Sequence, residues 1–237
     1  MIEAVIFDID GTLVDTVDLH ARAWKEAFEH FGHPLQYGEI RDQIGKGGDQ
    51  LIPHFLPPVE VERIGAELDA WRGDLFKREY LSSARPFPHV RDLFQRLKAD
   101  GIRTALASSG KKSEVNYYVG LMEIPDLVDV IVTGDDVERS KPHPDVFSVA
   151  LKKLGLVRTD KVVVVGDSPY DIEAAKRAGL RALAVLSGGF TASQLRQAGA
   201  LGLYEDPADL LHRYESWHSP RGLAAQSGVG RQPPSRH

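Results

Sequence analysis

Val5-Ile6-Phe7-Asp8-Ile9-Asp10-Gly11-Thr12-Leu13-Val14-Asp15-Thr16 is an apolar run that stops at two aspartates spaced by two, then glycine and threonine. Side chains on a strand repeat with period two, so the spacing predicts that Asp8 and Asp10 face the same way at a strand end. Two carboxylates so placed repel each other. They are stable together when a cation lies between them, or when one keeps its proton. The stretch therefore predicts a buried first strand ending in a catalytic site that other segments complete.

Four more short apolar runs read as buried parallel strands: Arg103–Ala107, Val128–Val132, Lys161–Val165 and Arg181–Leu186. With Ala4–Phe7 they are apolar on both faces, as in a sheet covered on both sides. Helical stripes lie between most of them. Val90–Ala99 places Val90, Leu93, Phe94 and Leu97 on one face; Pro144–Leu154 ends at Gly155 and Asp171–Ala178 at Gly179. The alternation predicts an α/β fold with a doubly wound parallel sheet.

Between the first two strands the alternation breaks. Val17–Phe31 is amphipathic through Val17, Ala21, Trp24, Ala27, Phe28 and Phe31; Val61, Ile64, Leu68, Trp71 and Leu75 form a second stripe. Gly45-Lys46-Gly47-Gly48-Asp49 between them reads as a flexible loop. The expected division is an α/β core over 1–15 and 84–218, with a helical cap over 16–83. The crossings Leu13–Asp15 and Ser82–Pro88 read as loops that together make a hinge. Ser219–His237, rich in Gly, Pro, Ser and Arg, is expected to be disordered.

Composition bounds the function. With 42% hydrophobic and 27% charged residues, 237 residues suffice for a real core. A net charge of -5 and no basic stripe argue against nucleic acid; zero cysteine removes disulfides and thiolate metal sites. No apolar stretch approaches the roughly 20 residues of a membrane span, and Met1-Ile2-Glu3-Ala4 does not open like a signal peptide. A cytoplasmic monomer or homodimer acting on a small molecule is the expectation.

Ligands of open α/β sheets collect at the carboxyl ends of strands. Polar segments sit at those ends: Asp8 and Asp10, Ser108-Ser109-Gly110, Ser140-Lys141-Pro142, and Gly166-Asp167 with Asp171. In this order they resemble the four motifs of the haloacid dehalogenase superfamily, mostly phosphatases, over residues 1 to about 190. The inserted helices resemble the subfamily of phosphoglycolate phosphatases and β-phosphoglucomutases. The resemblance implies that Asp8 is a nucleophile forming an aspartyl-phosphate and that Asp10 is the general acid and base. It implies Mg²⁺ held by Asp8, the Asp10 carbonyl and Asp167, with Asp171 behind them, through water or toward Lys141. Ser108 and the Ser109 amide would hold phosphoryl oxygens, and Lys141 would neutralise charge. Gly45, Lys46, Gly47, Gly48 and His20 are candidates for substrate contacts, and His20 also for a hinge role.

Bland readings stand beside these. Asp15 and Asp145 read as helix N-caps, and Asp135 and Asp136 as turn or capping residues. Lys46 is a solvated lysine, an anion-binding group, or the Schiff-base lysine of a phosphonoacetaldehyde hydrolase. His20, Trp24 and Thr16 match positions near the hinge and cap of β-phosphoglucomutase, but the mutase typically carries Glu-Asp where this chain has Gly166-Asp167. A haloacid dehalogenase would not need Asp10 as acid and base. A non-catalytic metabolite sensor on the same fold would be expected to lose Asp8, Asp10 or Lys141. Gly45–Gln50 lacks the spacing of a P-loop. The favoured reading is a Mg²⁺-dependent phosphatase of small phosphomonoesters.

Overall fold

The computed structural model describes residues 2–157 and 159–218. Its elements run β1 (Ala4–Phe7), β2 (Val14–Asp15), α1 (Val17–His30), α2 (Tyr37–Arg41), α3 (Gly48–Phe55), α4 (Pro58–Leu75), β3 (Arg85–Pro86) and α5 (Val90–Ala99). There follow β4 (Arg103–Ala107), α6 (Lys112–Leu121), β5 (Val130–Val132), α7 (Asp145–Leu154), β6 (Val162–Gly166) and α8 (Pro169–Arg177). The last described elements are β7 (Arg181–Val185), α9 (Ala192–Ala198), β8 (Gly202–Tyr204) and α10 (Pro207–His212). The segment 219–237, expected to be disordered, lies outside the described residues.

A parallel sheet in the order β5-β4-β1-β6-β7-β8 forms the core, an α/β doubly wound arrangement. Each strand splits by parity. Val5, Phe7, Leu106, Val163, Val165, Leu183 and Val185 pack under α5, α6 and α10. Ala4, Ala105, Ala107, Ala182 and Ala184, with Ile6, Val162 and Val164, pack under α7, α8 and α9. The alanine-rich face needs large partners, and Phe147, Val146 and Ile172 fill it.

Three strand boundaries differ from the sequence reading. β5 begins at Val130 rather than Val128, β6 is shifted one residue, and β7 ends at Val185. A sixth strand, β8, adds to β7 through Leu183↔Gly202.

The segment between β2 and β3 is helical and has its own apolar cluster, in which Trp24, Phe28, Ile40, Leu51, Ile52, Ile64 and Leu68 meet. Its two connections to the core are not loops. They pair as an antiparallel ribbon, Val14↔Pro86 and Asp15↔Arg85, and the Phe87 amide donates to the Leu13 carbonyl at 2.9 Å. Antiparallel neighbours with free backbone groups pair when they run side by side.

Asp15 and Asp145 are not N-caps. Asp15 lies in the ribbon, and Asp145 is the first residue of α7, paired with Arg139 at 3.2 Å. Asp136 does cap a turn, accepting from the Thr133 amide and hydroxyl at 2.9 Å, while Asp135 accepts from the Lys112 amide at the start of α6.

Candidate active site

β1 ends at Phe7, so Asp8 and Asp10 lie just beyond it, and turn geometry rather than strand period aims them. The Asp8 amide still donates to Val165, which anchors it over the sheet. Gly11, at φ +79, then turns the chain in a conformation that glycine adopts without strain. Asp8 faces down and Asp10 faces the helical insert.

Below, Lys141 is wholly buried. Its ammonium contacts the Asp8 carboxylate and lies 2.7 Å from Asp171 Oδ1. The Thr12 hydroxyl lies 3.2 Å from Asp8 Oδ2 and 3.0 Å from Asp167 Oδ1, either of which it can donate to. One carboxylate oxygen each from Asp8, Asp167 and Asp171 falls within 4.8 Å of the others. Three buried carboxylates against one ammonium leave negative charge uncompensated. Burial raises the Asp8 pKa to about 7; Lys141 opposes this and the neighbouring Asp171 and Asp10 add to it. Asp167 is likewise pushed well up by burial and by Asp171 and Asp8. Lys141 stays charged: burial disfavours its ammonium, but Asp171 and Asp8 outweigh that. Hard oxygen donors carrying excess charge suit a divalent cation such as Mg²⁺.

Above, Asp10 Oδ1 accepts from the Thr16 hydroxyl at 2.6 Å and pairs with His20 Nε2 at 3.0 Å. Burial alone would raise the Asp10 pKa, but the charge and hydrogen bond of His20, then Thr16, bring it below the usual carboxylate value. His20 is stacked on Phe76 with ring centroids 4.0 Å apart, so its edge stays aimed at Asp10.

Between core and insert lies a cleft of about 40 Å³ lined by Asp8, Asp10, His20, Lys46, Arg72 and Glu114, among others. At roughly 10–15 Å³ per water centre it has room for a few waters. The loop expected to be flexible is pinned to the core. The Gly47 amide donates to Ser140 Oγ at 2.9 Å, the Ser140 amide donates to Asp49, and Gly48 already begins α3. Gly45 and Gly47 line the cleft, whereas Gly48 borders the adjoining cavity with Asp69 and Lys111. Lys46 is turned toward Gln43 Oε1, at 2.5 Å, and lies over the Tyr170 ring. Ser108 is buried beneath the cleft, accepting from the Gly110 amide at 2.9 Å, and Ser109 Oγ donates to the Gly45 carbonyl.

The haloacid dehalogenase-like hydrolase family matches residues 5–185. The chain belongs to that family. It is 31% identical over 211 residues to the phosphorylated carbohydrates phosphatase of Thermotoga maritima, covering 89% of this chain and 97% of that protein. It is 36% identical over 184 residues to the phosphoglycolate phosphatase of Yersinia pseudotuberculosis, covering 75% and 78%. A hydrolase from Pseudomonas syringae superposes with a TM-score of 0.85 at 31% identity, over 91% of this chain and 99% of that one.

Sequence reading missed several residues of this hydrolase site. Thr12 lies within the quoted motif but drew no role from it. Arg72 lies on the buried face of α4, in the helical series Ile64, Leu68, Arg72, Leu75, and Trp71 beside it is less buried. That series was the available signal. Glu114 and Tyr118 share the buried face of α6, a helix that the sequence reading does not contain.

Gly188, after β7, is also essential to the geometry. A Cβ there would stand 1.7 Å from Asp167 Oδ2. Gly188→Ala is therefore expected to displace Asp167 from the carboxylate cluster that could hold a metal, and to weaken divalent-metal binding by about 10–100-fold, the scale of disturbing the support of a metal site. Metal-dependent shifts in thermal unfolding will measure it; an unchanged affinity would show that Asp167 is not so constrained.

Proposed function

We propose that this hydrolase is a Mg²⁺-dependent phosphatase of small soluble phosphomonoesters, working through an aspartyl-phosphate on Asp8. The observation that carries the reading is the opposed pair of carboxylates. Asp8 is held by Lys141 and Thr12 beside a metal-suited cluster, and Asp10 is held by Thr16 and His20 on the far side of the same cleft.

Asp8 attacks phosphorus while the bond to the leaving oxygen breaks. Asp10 gives that oxygen a proton, drawn from the His20–Asp10 pair. Water then enters, Asp10 takes its proton, and attack on phosphorus frees Asp8 and inorganic phosphate. Lys141 holds charge on Asp8 and the phosphoryl oxygens throughout. Asp8, Asp167 and the Asp10 carbonyl are the proposed metal ligands, with Asp171 bracing Lys141; Mg²⁺, when bound, supplies positive charge for the carboxylates and the phosphoryl group. The helical insert, residues 16–83 in this reading, is the cap. Because its cleft holds only a few waters when docked, substrate entry requires it to lift on the β2–β3 ribbon. Lys46, at the cleft's edge, is a substrate-binding candidate.

Against a mutase, a Cβ on Gly166 would fall 2.4 Å from Asp171 Cβ. The glutamate of the mutase pattern has no room there unless Asp171 moves. The test is phosphate release from a panel of phosphomonoesters and phosphonoacetaldehyde, with and without Mg²⁺, beside an isomerisation assay on β-glucose 1-phosphate. Metal-dependent release from phosphomonoesters is expected. Isomerisation without release, or release from the phosphonate alone, would overturn the reading.

The raised carboxylates make stability depend on pH. The Asp8 carboxyl moves from its ordinary value of 3.8 to about 7 in the folded protein. Between those values the folded protein keeps a proton that the unfolded chain has lost, so this group's contribution falls as pH rises through that window. Metal-free protein is expected to lose melting temperature from pH 4 toward pH 7 at this site, and saturating Mg²⁺ should reverse the loss most strongly at the upper end. Equal Mg²⁺ stabilisation at both ends, measured by thermal unfolding, would contradict it.

A further inference from the structure

The cleft holds two charged side chains that the proposed chemistry does not use. Arg72 and Glu114 are 7% and 1% exposed, and both line the cleft with Asp10. Arg72 Nε and Glu114 Oε1 are buried without a hydrogen-bond partner. Such groups are costly to leave unmade, so their persistence in a site points to a partner that arrives from outside.

Both are held in place. The Arg72 guanidinium lies 4.8 Å over the Trp24 ring, with Nη2 3.7 Å from Asp69. Glu114 Oε2 faces the space above Gly110, where an added Cβ would lie 3.6 Å from it and 3.9 Å from Asp10 Oδ2. Glu114 therefore borders one space with Asp10 through Oε2, the other oxygen of the carboxylate whose Oε1 has no partner. Tyr118 packs behind: burial first, then the Asp10 and Glu114 charges, push its ionisation up, while Arg72 opposes them.

The geometry points to Arg72 and Glu114 as the recognition pair for the leaving group, selecting one that carries a hydroxyl near the ester, a polyol or sugar phosphate, over one that ends in a carboxylate. The inference rests on the phosphatase reading, in which Asp10 marks the leaving oxygen. Atoms next to that oxygen then lie beside Glu114. A hydroxyl in the cleft has what both side chains lack, a proton to donate to the Glu114 carboxylate and a lone pair to accept from the Arg72 guanidinium. A carboxylate could accept from Arg72 but would meet Glu114 charge to charge in a desolvated cleft. Arg72 alone would favour the acid; Glu114 decides against it.

2-Hydroxyethyl phosphate and phosphoglycolate differ only in a hydroxymethyl against a carboxylate on the carbon that bears the ester, so they isolate this choice. Each is titrated calorimetrically into the Asp8→Asn protein with Mg²⁺ present, which reads binding without turnover. 2-Hydroxyethyl phosphate is expected to bind at least about tenfold tighter, and Glu114→Gln, nearly identical in shape, to shrink that ratio to about threefold or less. Arg72→Lys is expected to weaken both esters. Equal or tighter binding of phosphoglycolate, a ratio unchanged in Glu114→Gln, or binding of neither ester would overturn the inference. The phosphatase reading fails separately, through absence of p-nitrophenyl phosphate hydrolysis by the protein with Asp8 intact.

Discussion

Asp8→Asn is expected to lower kcat for phosphomonoester hydrolysis by at least about 10⁴-fold, the scale of losing a covalent nucleophile. The loss should come without unfolding. The amide fits the carboxylate's volume: its oxygen can accept from Lys141 in place of Oδ1, and its NH2, in place of Oδ2, can donate to the Thr12 hydroxyl, which then donates to Asp167. Removing one charge from a cluster in which Asp8 and Asp167 are both raised by burial relieves repulsion. Metal-free variant and parent should therefore melt within a few degrees of each other, with the larger difference appearing on addition of Mg²⁺. Steady-state kinetics beside thermal unfolding separate the two effects. Near-normal kcat would remove Asp8 from the chemistry.

Lys141→Met is expected to damage both stability and activity. The ammonium is wholly buried between Asp8 and Asp171, with the Phe147 ring 5.4 Å away. Its loss leaves carboxylates facing one another without a fixed cation, and breaking a buried ion pair from one side costs about 3–5 kcal/mol. For a chain of this size that is roughly 6–20 °C in melting temperature. kcat should fall by about 10²–10³-fold, as when one group that stabilises transition-state charge is removed. Mg²⁺ should return part of the stability and little of the rate, because it neutralises carboxylates but cannot occupy the ammonium's place. Unfolding curves with and without Mg²⁺, and kcat at saturating metal, check this. A variant as stable as the parent at pH 8, above the value at which folded Asp8 loses its proton, would mean that the ammonium is not what offsets the carboxylates.

The core was readable where its residues are unambiguous. Ala4–Phe7 and Arg103–Ala107 emerge with their expected bounds because apolar residues continue to the last paired position. β8 was invisible: Gly202-Leu203-Tyr204 is a three-residue edge strand whose formation depends on β7 beside it. α9 carried an unread signal, the Thr191–Gln194 capping box, formed as a reciprocal pair.

Asp8, Asp10, Ser108, Lys141, Asp167 and Asp171 were visible because the segments that carry them come after strands. What they touch was not. Asp10's bonds to Thr16 and His20 depend on α1 folding back over the strand end, which spacing along one segment does not specify. The pinned Gly45–Asp49 loop depends on Ser140, far away in sequence, so its glycines alone suggested mobility. Arg72 was obscured by the apolar stripe around it, since a charge in such a stripe reads as its solvent edge until packing shows which side is buried.

The central claim is that phosphate passes through Asp8. The measurement that tests it most directly is acid-quench mass spectrometry of the Asp10→Asn protein during turnover of a hydrolysed phosphomonoester with Mg²⁺. The substituted amide can neither protonate the leaving group nor activate water, so an ester with a good leaving group, p-nitrophenyl phosphate, is used to load the enzyme. The account predicts a phosphoryl adduct on the peptide containing Asp8, absent without Mg²⁺ and absent when Asp8 is also replaced by asparagine. Continued hydrolysis with no adduct, or an adduct on another residue, would contradict it.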